Sequence, residues 1–313
     1  MTSAISVRGL GKSFQGRRAC WDLSFEVEQG EVFGLLGPNG AGKTTTLRIL
    51  AGLYAPDTGS ARVAGFEIAP GSAGSAELRR RVGLLTETPG FYDRLTAREN
   101  LLHFAQLYGV GPAEAALRSR DLLERFGLGP HADRPFAELS RGMKQKLAIG
   151  RALIHEPEVI FLDEPTVGLD PEATREVRRV IAQLAAEKRT IVLCTHDLDE
   201  VERLCARAAF IAGRLLAVHE IAPLAGRGRR VRVELQTAAD FSGLARANPA
   251  VLSARTEGMA LLLELDDAAA MPDLVAALAA AGARINAVVP QRDPLEEAYL
   301  QLLAQARSLG LAA

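Results

Sequence analysis

Cysteine is scarce: Cys20, Cys194 and Cys205 are all there are in 313 residues, an odd number with no Cys-x-x-Cys pair. Neither a disulfide framework nor a cysteine zinc site is expected, and burial as small hydrophobes in a reducing compartment accounts for all three. An excess of positive charge is missing too, since 37 Lys and Arg stand against 38 Asp and Glu. The electrostatic footprint of a nucleic-acid binder is therefore absent. Long hydrophobic runs are lacking as well. A membrane-crossing helix needs about 18 consecutive apolar residues, and even the alanine-rich stretch near Leu274 is broken by Pro272, Asp273 and Gly282. Met1 to Leu10 carry no long apolar stretch followed by a small-residue cleavage site, so a secretory signal is not expected.

What is present is an ordinary packed chain, with 48% hydrophobic and 24% charged residues. Its length suits two domains at about 100 to 200 residues each. Strand-like runs at Ser24 to Val27, Val32 to Leu36, Arg81 to Leu85, Val159 to Leu162 and Ile191 to Cys194 alternate with helical periodicity. This is the α/β pattern, and continuous apolar runs such as Val159 to Leu162 suit strands of a parallel sheet buried on both faces. Between Thr96 and Phe126 two helical segments follow without a strand, with Leu101, Leu102, Ala105 and Tyr108 on one face. They form either a helical insert or simple crossover packing, between which periodicity does not choose.

Small, basic residues at Ala225 to Arg230 mark a linker. After it, strand signals at Val231 to Leu235, Val251 to Arg255, Leu261 to Leu265 and Arg284 to Val289 interleave with helical stretches near Asp240 to Ala247, Ala270 to Ala281 and Leu295 to Ala306. The order β-α-β-β-α-β plus a helix is a split βαβ, ferredoxin-like α+β arrangement. No cluster of catalytic residue types falls within it.

The segment Gly37-Pro38-Asn39-Gly40-Ala41-Gly42-Lys43-Thr44 matches G-x-x-x-x-G-K-[ST], after a strand and before a helical segment that continues to about Gly52. Its glycines let backbone N–H groups close around an anion at a helix N-terminus. Lys43 adds charge near the β- and γ-phosphates, and the Thr44 hydroxyl is a ligand for Mg²⁺. The phosphate-binding set runs from Gly37 through Thr45. Downstream, Val159-Ile160-Phe161-Leu162-Asp163-Glu164 is a buried strand ending in two carboxylates, the layout of a Walker B motif. Asp163 suits Mg²⁺ as an oxygen donor, and Glu164 suits orienting and polarising the attacking water. His196 follows the strand Ile191 to Cys194, whereas His103, His131, His155 and His219 have no such placement and read as structural.

Between those motifs, Leu139-Ser140-Arg141-Gly142-Met143-Lys144-Gln145 opens a helix running to about His155. It resembles the LSGGQ signature of ATP-binding subunits of ABC transporters, departing from it at Arg141 and Met143. The resemblance implies that Ser140 and Gly142, with Arg141 and Met143 beside them, meet the ATP held by a second subunit. It further implies that Phe14 stacks on adenine, that Gly168-Leu169-Asp170 is the D-loop bringing Asp170 to the nucleotide, and that His196 senses the γ-phosphate. In Val82-Gly83-Leu84-Leu85-Thr86-Glu87, Glu87 stands where the family usually has glutamine. A carboxylate there still ligates Mg²⁺ or its water but adds negative charge beside the phosphates.

The resemblance covers residues 1–222, a P-loop ATPase domain of the ABC type with a helical insert at about 88–155, and leaves 230–313 as an accessory domain. Asp293-Pro294-Leu295-Glu296-Glu297-Ala298-Tyr299-Leu300 is similar to the ending of that accessory domain in ABC-2-type exporter ATPases, including those like drug-resistance exporters. The implied protein is a Mg-dependent ATPase, a dimer with a second nucleotide-binding subunit. It powers a separate integral-membrane permease for export from the cytoplasmic face. A soluble ATPase of the same engine, acting on ribosomes or nucleic acid, is the alternative. Such proteins generally resemble two fused engines or carry long coiled-coil or basic insertions, whereas this chain has one P-loop, one signature and balanced charge.

Overall fold

The computed structural model describes residues 3–72, 74–86, 90–221, 229–266, 270–290 and 294–308. Met1–Glu220 with Leu302–Ala313 forms one compact unit and Ile221–Gln301 the other.

The first unit opens with strands β1 (Ser3–Phe14), β2 (Arg17–Glu28) and β3 (Val32–Leu36), helix α1 (Lys43–Leu50), strands β4 (Thr58–Val63) and β5 (Phe66–Ile68), helix α2 (Ala76–Arg81) and strand β6 (Val82–Leu85). Helices α3 (Ala97–Leu107), α4 (Pro112–Arg125) and α5 (Arg141–Leu153) come next without an intervening strand. Then follow β7 (Val159–Asp163), α6 (Pro171–Ala186), β8 (Thr190–Thr195), α7 (Leu198–Leu204), β9 (Arg207–Ala212) and β10 (Arg214–Glu220).

Strands β3, β7 and β8 are buried at every residue, as two-sided coverage requires. They lie inside a six-stranded sheet of order β10-β9-β3-β8-β7-β6, whose pairings from β9 to β6 are parallel. Because Leu36 pairs with Thr195 and Asp163 with Cys194, the carboxyl ends of the three strands stop at one edge. The loops leaving that edge carry the P-loop, Glu164 and His196.

A second, antiparallel sheet of order β2-β1-β4-β5 packs into the same core. The rings of Phe25 in β2 and Phe33 in β3 stack at 5.5 Å. From the sequence only Ser24 to Val27 of this sheet reads as a strand. Register shifts between Val7 and Leu10 and again between Leu10 and Lys12 break the period-two alternation of β1, which hides it.

The helical segments are stabilised locally. Thr96 and Glu99 form a reciprocal capping box at the start of α3, and Leu101 and Ala105 on its inner face are buried. Arg151 of α5 donates to the Leu84 carbonyl at 3.3 Å and lies over the rings of Phe91 and Phe104 at 5.5 and 5.0 Å. A guanidinium serves both contacts at once, since it is planar and carries five donors.

The second unit contains β11 (Arg229–Leu235), α8 (Ser242–Arg246), β12 (Val251–Glu257), β13 (Ala260–Leu265), α9 (Met271–Ala280) and β14 (Ile285–Pro290), and α10 (Pro294–Ser308) ends the chain's described part. Its sheet, ordered β12-β13-β11-β14, is antiparallel throughout. Val231, Val233, Leu261, Leu263, Leu274 and Leu278 are among its core residues. This is the split βαβ arrangement that the strand and helix spacing predicts. The linker expected at 225–230 lies, up to residue 228, outside the described residues. All three cysteines are buried and unbridged, and among the described residues no helix is long and apolar enough to cross a membrane.

Candidate functional site

The loop between β3 and α1 needs glycine at two places. A Cβ on Gly37 would sit 2.2 Å from the Ile211 carbonyl oxygen, and one on Gly42, whose φ is +91°, would sit 2.4 Å from that of Ala19. Gly42 is also the N-cap of α1, and no side chain caps that end or places an acid in its first turn. The free N–H groups and the positive end of the helix dipole therefore suit an anion.

Lys43 is buried, yet its Nζ donates to the carbonyls of Gly37 at 2.6 Å and Pro38 at 3.3 Å and lies 3.2 Å from Glu164 Oε1. The Thr44 hydroxyl donates to Asp163 Oδ1 at 3.1 Å. Burial pushes the Asp163 carboxyl above its ordinary range, partly opposed by the Thr44 hydrogen bond. A cation beside these two oxygens would offset that burial. The donor set is hard oxygen, suited to Mg²⁺, and among the described residues no cluster of three or more His, Cys, Asp or Glu forms a different metal centre.

Glu164 has a φ of +49°, a conformation that costs a non-glycine residue and recurs at functional sites. Its N–H donates to the Cys194 carbonyl at 2.9 Å, tying the turn after β7 to β8. The carboxylate faces Lys43 on one side and His196 Nδ1, 2.9 Å from Oε2, on the other. A cleft of about 500 Å³ is lined by Pro38, Asn39, Gly40, Ala41, Gly42, Lys43, Thr44, Thr45, Glu164 and His196, with Ala19 and Val167. Ala19 and Val167 escape sequence reasoning because small and apolar side chains carry no chemical signal.

Phe14, Ser140, Arg141, Gly142, Met143 and Asp170 do not line that cleft. Phe14, 43% exposed, meets Tyr54 edge-on at 5.6 Å and has Lys12 Nζ over its ring at 5.7 Å. Ser140 caps α5 by accepting from Met143 N at 3.2 Å. A Cβ on Gly142 would come within 2.7 Å of Ala173 Cβ, so a glycine lets α5 approach α6 closely. The Arg141 guanidinium covers Gly168, whose φ is +66°. Asp170 caps α6, accepting from Glu172 N at 3.0 Å and Ala173 N at 2.9 Å. Glu87 lies outside the described residues.

A strand-loop-helix phosphate cradle with two carboxylates and a histidine on the adjoining strands defines a P-loop ATPase, and the chain belongs to the ATP-binding subunits of ABC transporters. The family model described as ABC transporter matches residues 20–167. The ABC transporter ATP-binding protein NatA of Bacillus subtilis is 44% identical over 207 residues, which are 64% of this chain and 82% of the relative. The Nod factor export ATP-binding protein I of Paraburkholderia xenovorans is 44% identical over 216 residues, 69% of this chain and 70% of that one. A solved dimeric bacterial ABC transporter cassette, 25% identical, superposes with a TM-score of 0.60 over 69% of this chain and 98% of its own. The chain binds and hydrolyses ATP, as members of this family do.

Proposed function

We propose that the chain is the motor of an exporter, in which two copies clamp ATP between the P-loop of one and Ser140-Arg141-Gly142-Met143 of the other. The closing pair moves a separate integral-membrane permease from its cytoplasmic face. The observation that carries this reading is the convergence of Lys43, Glu164 and His196 on the P-loop cleft, while the signature residues of the same chain lie outside it. Relatedness to a protein whose name states export favours that direction over import, and the dimeric cassette favours pairing.

In this reading the P-loop N–H groups and Lys43 hold the phosphates, and Phe14 supplies a flat apolar face to adenine. Thr44 and Asp163, with Glu87, would hold Mg²⁺, which neutralises phosphate charge. Glu164 takes a proton from the attacking water as its oxygen bonds to the γ-phosphorus and the bond to the β–γ bridging oxygen breaks, releasing ADP and phosphate. His196 steadies Glu164 and meets the γ-phosphate, and Asp170 approaches the nucleotide of the partner copy. Residues 230–313 stabilise or regulate the assembly and supply no catalytic group.

Glu164→Gln keeps shape and hydrogen-bonding reach but loses the base, so ATP binding survives and hydrolysis falls sharply. The trapped ATP then bridges two chains, and Mg·ATP shifts the variant from monomer to dimer by mass action. Adding Ser140→Arg reverses the shift. Light scattering on a size-exclusion column measures both. A variant that binds ATP tightly but stays monomeric refutes the shared site.

A further inference from the structure

Helices α3 and α7 of the first unit each pair a side-chain N-cap with an acid three residues later, and they use that acid differently. In α3, Glu99 turns back to accept from the Thr96 backbone N–H at 2.8 Å, closing the capping box. In α7 the N-cap is Asp197 and the equivalent acid is Glu200. Here the Asp197 N–H is already given to the Thr195 hydroxyl at 3.0 Å. Glu200 is thereby free to face inward. It is 0% exposed, and its Oε1 accepts from the Thr166 hydroxyl at 2.6 Å.

Thr166 stands two residues after Glu164, and Glu200 four residues after His196. The Thr166–Glu200 bond thus ties the loop after β7 to the first turn of α7, the helix that directly follows the His196 loop, beside the 2.9 Å contact between Glu164 and His196. Arg178 of α6 braces the arrangement from the side. It pairs with Asp197 at 2.8 Å and with Asp199, and its Nε lies 3.9 Å from Glu200 Oε1. A fully buried carboxylate costs stability unless it is bonded and paired, and an ordinary capping acid would sit in solvent as Glu99 does. The side chains that hydrogen-bond the Glu200 carboxyl against its burial are Thr166 and Thr195, both outside α7, so its partners are not the free N–H groups of its own helix end.

We propose that Glu200 is a positioning residue for ATP hydrolysis, which through Thr166 fixes the loop carrying Glu164 against the loop carrying His196. The inference rests on the catalytic reading of Glu164 given above. The Thr166 hydroxyl is the donor, Glu200 the acceptor, and Arg178 the clamp that keeps α7 in place while the loops respond to nucleotide.

The test uses the full chain with Mg·ATP, measuring kcat, KM and equilibrium ATP binding, with thermal melting to confirm folding. Thr166→Val removes the donor while keeping the shape, and should lower kcat by about tenfold, since small misplacements of a reacting group are costly, with KM and ATP affinity held within about twofold. Thr166→Ser, which restores a hydroxyl, should recover most of the rate. Glu200→Gln keeps an acceptor oxygen and should lose less than Thr166→Val. The double variant Thr166→Val with Glu200→Gln should be no slower than Thr166→Val alone, because the bond is already gone. If the valine variant does not fold, Thr166→Ala removes the same hydroxyl without adding bulk and is read identically. A folded Thr166 variant with wild-type kcat, beside a Glu164→Gln variant that no longer hydrolyses, overturns the positioning role and leaves Glu164 in place. A Thr166 variant that loses ATP binding in step with turnover overturns it as well, by making the contact merely structural. Wild-type hydrolysis by Glu164→Gln refutes the catalytic reading, and this inference with it.

Discussion

The two units solve opposite problems with their sheets. In the six-stranded sheet, β3, β7 and β8 run parallel and release their loops at one edge, so residues more than a hundred positions apart meet there. Ligands of open α/β sheets gather at such edges for this reason. In the sheet of the second unit every neighbour is antiparallel, and loops leave from both ends in alternation. Burial follows the same division. The first unit buries Lys43, Asp163, Thr195 and Glu200, whereas Ser242 is the one buried polar side chain recorded in the second among the described residues. Charged pairs of the second unit, such as Arg232 with Glu234 at 3.6 Å, lie along single strands at the surface. Buried polar groups cost stability; Asn100, Ser119, Lys146 and Thr190 are buried in the first unit as well, but Lys43 and Asp163 also meet the phosphate loop or its threonine.

The strongest way to break that comparison is to empty the edge of its cation. Lys43→Ala removes a buried charge that contacts two P-loop carbonyls and Glu164. Charge-assisted contacts are worth about 3 kcal/mol at the upper end, so ATP affinity or turnover should fall by about a hundredfold or more. Equilibrium binding and steady-state turnover on folded protein measure it. Wild-type values for both would move the nucleotide away from this edge.

A half-buried polar group away from the edge sharpens the comparison. His155 stacks on Tyr108 with ring centroids 3.7 Å apart, and its Nε2 lies 3.0 Å from the Val82 carbonyl oxygen. Burial pushes its pKa down from 6.5 to about 4. The unfolded chain therefore binds a proton between those values that the folded one refuses. The contribution of His155 to stability is full above pH 6.5 and is lost as the pH falls toward 4, amounting to about 3 kcal/mol. His155→Phe keeps an aromatic ring against Tyr108 and should lose less stability than the wild type across that window in denaturant titrations. Equal pH dependence in the two proteins would show that His155 is neutral for another reason. Turnover per folded molecule should not change, which separates a group that acts only on stability from those at the edge.

The edge was legible in the sequence because its motif positions are short, fixed in spacing and chemically distinctive. Gly37 to Thr44 and Asp163-Glu164 announce themselves as text, and the buried runs at β3, β7 and β8 orient them. The antiparallel sheet of the first unit was not legible, since bulges in β1 scramble its alternation. The Thr166–Glu200 bond was also invisible. Nothing in Asp197-Leu198-Asp199-Glu200 distinguishes a capping acid from one turned inward until Thr195 is seen to take the N-cap N–H. For the second unit the order of strands and helices was readable, because alternating segments of ordinary length separated by turn residues leave few topologies.

A smaller effect is expected at Phe14. Phe14 is 43% exposed, with Tyr54 edge-on at 5.6 Å and Lys12 Nζ 5.7 Å from its ring centroid, so part of the ring is open to solvent. Phe14→Ala should weaken ATP binding by about 1 kcal/mol, while Phe14→Tyr keeps the face and the affinity. Calorimetric titration with ATP distinguishes them, and equal affinities for wild type and Phe14→Ala would place adenine elsewhere.

The smallest effect should come from the surface of the second sheet. Arg255 lies on β12 with its side chain 73% exposed and pairs with Glu257 at 3.2 Å on the same strand. Exposed pairs of this kind are worth about 0 to 1 kcal/mol, because water screens both charges and two long side chains lose freedom in meeting. Arg255→Ala removes no core atom, since the packed face of that sheet is built from residues such as Val233, Leu261 and Leu263. Stability should stay within about 0.5 kcal/mol of the wild type. Turnover and ATP affinity should be unchanged, because the groups that meet nucleotide leave a different sheet at one edge. Denaturant unfolding and steady-state ATPase assays on the full chain measure both. A change of more than about twofold in kcat, with stability intact, would mean that the antiparallel surface communicates with the nucleotide edge and would end the division of labour between the two sheets.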